Sequence, residues 1–254
     1  MRPWLDSPRT AGVFVDFDGT LAPIVRDPDQ ARAPTGAAEL LARLAERYGR
    51  IAVISGRPLA YLAQHLGPGA GATEMVGLYG LERSTPAGER PATESGAASW
   101  RPAVEDVARR ADAVAPVGVH VERKGLAVTL HFRDAPELGS WVERFATDEA
   151  GRSGLAAHAG KMSWELRPPV RTDKGTVVTE LAGDLKAVCY LGDDRGDLPA
   201  FEALARLAGQ GVQTLAVAVG GPETPPEVIA AADLIVTGPA GVLALLSSLD
   251  RPGG

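Results

Sequence analysis

Apolar residues in this chain follow two different rhythms. In GVFVDFDG (12–19) the triplet Val13, Phe14 and Val15 is unbroken and then stops abruptly in acids and glycine. That pattern predicts a strand buried on both faces that feeds a loop. TGAAELLARLAERYG (35–49) carries Leu40, Leu41 and Leu44 at helical spacing, with Thr35 as the expected N-cap and Gly49 as the stop. IAVIS (51–55) repeats the buried-strand pattern, PLAYLAQHLG (58–67) reads as a helix opened by proline and closed by glycine, and a further strand runs into GLYGLE (77–82). Strands alternating with helices predict a parallel sheet covered on both faces.

After a stretch rich in Pro, Gly, Ser and Thr (84–99) the rhythm changes. WRPAVEDVARRADAVA (100–115) puts Val104, Val107, Ala108, Ala111, Val114 and Ala115 on one helical stripe. VGVHVER (117–123) and LAVTLHFR (126–133) alternate around Lys124-Gly125 as an antiparallel hairpin; a second helix carries Leu138, Trp141, Val142 and Phe145; KMSWELR (161–167) alternates again. Period two places Val117, Val119, Val121, Leu126, Val128, Leu130, Phe132, Met162, Trp164 and Leu166 on an apolar face. The other face then carries His120, Glu122, Lys124, His131, Arg133, Lys161, Ser163, Glu165 and Arg167. From Thr172 the first rhythm resumes: a helix at 174–183, a strand AVCYLGD (187–193), a helix at 197–208, strands TLAVAV (214–219) and DLIV (233–236), and a helix from Pro239. Residues 1–98 and 171–254 are therefore expected to form one parallel α/β core, interrupted by an inserted α+β layer over 99–170.

Composition narrows the class. Of 254 residues 45% are hydrophobic and 23% charged, ordinary globular values that exclude a disordered or fibrous chain. A net charge of −6 argues against a nucleic-acid partner. No apolar run approaches the ~18 residues of a membrane span, and MRPWLDSPRT lacks the apolar centre of a signal peptide. A soluble, cytoplasmic protein with no membrane partner is expected. Cys189 stands alone, so no internal disulfide, thiolate metal site or Cys-x-x-Cys pair can form, and its setting in AVCYL suggests a buried, inert thiol. G-P-G-A-G-A (67–72) follows a helix where a dinucleotide fingerprint would open one after a strand, which argues against a Rossmann dehydrogenase. Twenty-two arginines stand against four lysines, so Lys124, Lys161 and Lys174 invite a functional explanation.

The chemistry concentrates where strands end. Asp16 and Asp18 in DFDGT can point into one crevice, one to attack and the other to handle protons. Gly19 lets the chain turn sharply, and Thr20 with nearby backbone N–H groups can hold an anion. Ser55-Gly56-Arg57 after the second strand offers a hydroxyl and a guanidinium to phosphate oxygens. Asp193, Asp194 and Asp197 after the strand that follows the insertion supply hard oxygen ligands suited to Mg²⁺. Lys174 at a helix start opposes the helix dipole, which favours a functional reading. Taken singly, each has an ordinary reading as a helix cap or a solvated turn.

Taken in order, D-x-D-G-T, S-G, D-K-G and G-D-D-x-x-D resemble the haloacid dehalogenase (HAD) superfamily of phosphatases. The resemblance implies a Rossmann-like parallel-sheet HAD core with an inserted α+β cap domain and an aspartyl-phosphate intermediate. Asp16 would be the nucleophile and Asp18 the general acid, then base; Asp16, the backbone carbonyl of Asp18 and Asp193 would hold Mg²⁺. Thr20, Ser55 and Lys174 would hold phosphate, and Asp194 and Asp197 would orient water ligands or Lys174.

FVDFDGTLAPIV, AVISGR, GLYGLE, VERKGLAVTLHFR, GKMSWELRP, DKG and GDDRGDLPAF together are similar to the trehalose-6-phosphate phosphatase family, over roughly residues 13–201. In that family the cap covers the crevice, and its motifs E-x-K, H-[YF]-R and K-x-x-x-E contact the glucose units. They map onto Glu122, Lys124, Arg133, Lys161 and Glu165. The resemblance implies a sugar-phosphate substrate and a functional link to trehalose-6-phosphate synthase. Two departures stand out: Arg195-Gly196 where a threonine usually precedes the last aspartate, which leaves the placement of Asp197 open, and Phe132 for tyrosine. Sucrose 6-phosphate and mannosyl-3-phosphoglycerate are alternative substrates, and a non-catalytic sugar-phosphate-binding module is a further alternative that the presence of both Asp16 and Asp18 disfavours.

Overall fold

The computed structural model describes residues 2–25, 30–66, 70, 73–84, 92–93 and 96–250. In chain order the elements begin with α1 (Arg2–Asp6), β1 (Ala11–Val15), α2 (Ala37–Arg47), β2 (Arg50–Ile54), α3 (Leu59–Leu66), β3 (Glu74–Gly77), β4 (Glu82–Arg83) and β5 (Ala92–Thr93). A different pattern follows: α4 (Arg101–Val114), β6 (His120–Arg123), β7 (Val128–His131), α5 (Gly139–Ser153), β8 (Ala156–Gly160) and β9 (Ser163–Arg167). The chain closes with α6 (Lys174–Ala182), β10 (Ala187–Gly192), α7 (Leu198–Gly209), β11 (Gln213–Gly220), α8 (Pro226–Ala230), β12 (Leu234–Thr237) and α9 (Gly238–Leu249). Two compact units result, one of residues 1–92 with 172–254 and one of 93–171. Most of 67–72, with its G-P-G-A-G-A segment, and the closing RPGG lie outside the described residues.

The first unit is built on an eight-stranded sheet in the order β12-β11-β10-β1-β2-β3-β4-β5. Pairing is parallel from β12 through β3 and antiparallel between β3 and β4. Because side chains alternate along a strand, Val13, Val15, Ile51, Val53, Cys189 and Leu191 pack against Leu41 and Leu44 of α2 and Val242 and Leu246 of α9. Phe14, Ala52, Ile54, Val188 and Tyr190 pack on the opposite side against Val177 and Leu181 of α6 and Phe201 and Leu204 of α7. Three layers follow directly, with no charged side chain at the centres of β1, β2, β10 and β11.

The second unit is a four-stranded antiparallel sheet, β6-β7-β9-β8, with α4 and α5 packed on one face. Its core joins Val104, Val107 and Ala111 of α4, Val142 and Ala146 of α5, and Val128, Leu130 and Leu166 of the sheet. Glu149 of α5 is buried and is neutralised by Arg110 of α4, 2.6 Å away, and by Arg152.

Five local expectations change, the first at Val114, expected on the packed stripe of α4 but 57% exposed. Thr35 is not the N-cap of α2: Gly36 takes that position in the left-handed region (φ 86°), where a residue without Cβ is favoured, and no side chain caps the helix. Val117 is fully exposed and so is not on the packed face; its strand begins only at His120. The alternation at 161–167 starts two residues late, because Lys161 and Met162 form the tight turn between β8 and β9, with Met162 at φ 53°. Strand β8 itself, AAHAG, carries too little apolar bulk to announce itself in the sequence.

Candidate active site

Asp16, Asp193 and Ser55 are each the first residue beyond a strand, and the three strands are neighbours: β1 lies between β10 and β2. The chain leaves β1 toward β2 on one side and β10 toward β11 on the other, so the β1/β10 boundary is a topological switch point, where open α/β sheets bind ligands. Asp16 N–H extends the ladder by donating to Leu191 C=O at 2.9 Å. The turn beyond it is closed by Gly19 N–H to Ala22 C=O at 2.8 Å and Ala22 N–H to Phe17 C=O at 2.7 Å. Gly19 sits at φ 79°, and a Cβ there would lie 2.1 Å from Asp193 Oδ2, so only glycine lets the two acidic loops approach.

Asp197 organises the site. Fully buried, it accepts from Lys174 Nζ and from the Tyr190 hydroxyl on Oδ1, both at 2.6 Å, and from the backbone N–H groups of Asp193 and Asp194 on Oδ2, at 2.8 and 3.1 Å. It therefore fixes both the lysine and the loop that carries Asp193, and Gly196 does not loosen it. Lys174, itself buried, also lies 2.8 Å from Asp16 Oδ1.

The electrostatics are those of crowded carboxylates. Burial pushes the Asp16 carboxyl well above its ordinary value, Lys174 opposes that shift, and the charges of Asp197 and Asp193 add to it. Asp193 is pushed up to about 8, again by burial and then by Asp197 and Asp194. Burial alone would depress Lys174, but Asp16 and Asp197 outweigh it and hold the ammonium well above its usual range. One oxygen each of Asp16, Asp193 and Asp197 lie within 4.8 Å of one another. A divalent cation fits Asp16 and Asp193, the oxygens of Asp197 being taken by its four hydrogen bonds: the donors are hard oxygens, and a cation would relieve the repulsion that a single lysine leaves.

The other expected residues are distributed as follows. Thr20, fully buried, donates its hydroxyl to Asp193 Oδ1 at 3.1 Å. Ser55 accepts from Arg57 N–H at 3.1 Å. Asp18 lies outside the buried acidic cluster, and both its oxygens are taken by the Arg57 guanidinium, at 2.7 and 2.9 Å. Arg57, expected on phosphate, is thus paired with a carboxylate. Asp194 is exposed and caps the turn Arg195–Asp197 by accepting from Gly196 N–H at 2.8 Å. Sequence reasoning missed Tyr190. Its signal was a tyrosine inside a wholly buried strand, whose hydroxyl had to find a partner.

In the second unit, considered by itself, one rung across the sheet aligns Glu122, Thr129, Glu165 and His158. Lys124 Nζ lies 3.1 Å from Glu165 Oε2 and 3.5 Å from Glu122 Oε2, Thr129 donates to Glu165 at 3.2 Å, and His131 Nε2 is 2.8 Å from Glu122. Three of the five expected substrate contacts, Glu122, Lys124 and Glu165, therefore form one network. Arg133 and Lys161 are exposed, in turns beyond the His131–Ser163 rung at the other end of the sheet from Lys124.

Residues 14–227 match the trehalose-phosphatase family. A trehalose-phosphate phosphatase of Mycobacterium avium (strain 104) is 38% identical over 218 residues, covering 82% of this chain and 54% of the relative. The chain thus spans about half the length of the curated relatives it matches. Among solved structures, the C-terminal domain of Candida albicans trehalose-6-phosphate phosphatase superposes with a TM-score of 0.76 at 24% identity, covering 98% of this chain and 96% of that one, a likeness of fold. Aspergillus fumigatus trehalose-6-phosphate phosphatase gives a TM-score of 0.64 at 27% identity, with 98% and 97% covered. With a mostly parallel α/β core and a separate antiparallel layer inserted in it, this chain belongs to the trehalose-phosphatase family.

Proposed function

We propose that the chain is a Mg²⁺-dependent phosphatase that hydrolyses trehalose 6-phosphate to trehalose and phosphate through an aspartyl-phosphate on Asp16. The observation that carries the reading is the buried contact of Lys174 with Asp16 at the end of β1, beside Asp193. A carboxylate cannot approach a phosphate monoester unless charge is neutralised, and a buried ammonium on the attacking group does so in part. Asp16, the Asp18 carbonyl and Asp193 would hold Mg²⁺, which when bound supplies the remaining positive charge. Asp16 attacks phosphorus while Asp18 gives a proton to the departing sugar oxygen. Asp18 then takes a proton from the water that cleaves the acyl phosphate, returning Asp16 and releasing phosphate. Lys174 and the Thr20 and Ser55 hydroxyls orient the phosphoryl group. The Glu122–Lys124–Glu165 network offers donors and acceptors to sugar hydroxyls, with Arg133 and Lys161 as further contacts.

The test is phosphate release from trehalose 6-phosphate, sucrose 6-phosphate and mannosyl-3-phosphoglycerate, each with and without Mg²⁺. The proposal expects metal-dependent release with the highest kcat/KM on trehalose 6-phosphate. Preference for another member of the panel would reassign the substrate, and release from none would leave a binding module.

A further inference from the structure

The pairing of Arg57 with Asp18 is stronger than a surface contact. Arg57 Nε and Nη2 meet Asp18 Oδ2 and Oδ1 as a two-pronged fork, and the Arg57 side chain is 9% exposed against 35% for Asp18. The guanidinium is stacked 4.4 Å from the centroid of the Tyr61 ring. Tyr61 is held in turn by its hydroxyl bond to Ala31 C=O at 2.9 Å, by stacking on His65 at 3.9 Å and by the edge of Phe17 at 6.0 Å. The arginine is the anchored partner and Asp18 the accessible one.

The fork occupies the lone pairs of both Asp18 oxygens that face Arg57, so a proton can be exchanged on that edge only when a prong leaves. Guanidinium forks match phosphate as well as carboxylate. We propose that Arg57 is a positioning residue for Asp18: it fixes the carboxylate before substrate binds, then turns one N–H to the phosphoryl group of the entering monoester, which frees one Asp18 oxygen for proton exchange. No bond to Arg57 is made or broken and it keeps all its protons. The inference rests on the phosphatase reading of the site.

A double-mutant cycle of Arg57→Lys and Asp18→Asn tests it, because lysine keeps the charge but cannot form the fork. With trehalose 6-phosphate, Arg57→Lys should lower kcat by about tenfold or more, up to the 10²–10⁴ that acid–base catalysis contributes in full, with little change in KM. In the Asp18→Asn background the same substitution should change kcat less than about threefold. Equal losses in both backgrounds, or a rise in KM alone, would overturn the proposal and leave Arg57 a simple phosphate ligand. Melting the four proteins without substrate gives an answer independent of turnover. A paired fork predicts that the double variant melts within about 1 °C of the less stable single variant, and fully additive losses would show that the pair does not form in solution. Absence of any phosphate release by the wild-type protein would refute the phosphatase reading, while the melting cycle would still decide the pair.

Discussion

Asp16 and Asp18 are two residues apart yet meet opposite surroundings, one buried against Lys174 and the other turned to Arg57 in a partly open position. Their substitutions should therefore separate. Asp16→Asn should abolish turnover with the melting temperature preserved, since an amide neither attacks phosphorus nor keeps the charge; steady-state phosphate release checks it. Asp18→Asn should leave a residual rate, lower by on the order of 10²–10⁴. Gly19→Ala should fail differently, because the left-handed backbone costs about 1–3 kcal/mol and the new Cβ meets the Asp193 carboxylate; both melting temperature and activity should fall. These residues were legible in the sequence because D-x-D-G-T is local, its chemistry and its turn lying between Asp16 and Ala22. Tyr190 and the Arg57–Asp18 fork were not, because each depends on a partner that only the folded chain brings near.

At the scale of elements, the periodic strands and helices were readable and their edges less so. Alternation through Glu122, His131 and Glu165 correctly put these residues on one sheet face, but the same rule carried across Lys161 failed where the hairpin turn breaks the period. The network left on that face makes a prediction specific to the second unit. If Glu165 holds sugar hydroxyls, Glu165→Gln loses charge-assisted hydrogen bonds, each worth roughly 1.5–3 kcal/mol, which corresponds to a fall of about ten- to 150-fold in kcat/KM on trehalose 6-phosphate. A small aryl phosphate, which has no glucose units, should be hydrolysed by the same variant at nearly the wild-type rate. Equal loss on both substrates would assign Glu165 to structure, and no loss on either would make this face an ordinary solvated one.

For the whole molecule, the crowded carboxylates tie stability to pH and metal. Asp193 is raised in the folded state above its unfolded value, so its contribution to stability is fully present below about pH 4 and is lost as pH rises through about 8. The metal-free protein should thus melt at a lower temperature near pH 9 than near pH 6, and Mg²⁺ should narrow the difference by binding the ionised form. A melting temperature independent of pH without metal would contradict the electrostatic picture. Chelation should likewise remove activity and Mg²⁺ restore it, while Ca²⁺, with its looser and larger coordination shell, should inhibit. The most direct test of the central claim is a rapid acid quench during steady-state turnover of trehalose 6-phosphate, followed by mass spectrometry of the peptide that contains Asp16. The mechanism predicts one added phosphoryl group on Asp16, absent in Asp16→Asn. An unmodified Asp16 peptide under turnover, with phosphoryl carried elsewhere or nowhere, would contradict it.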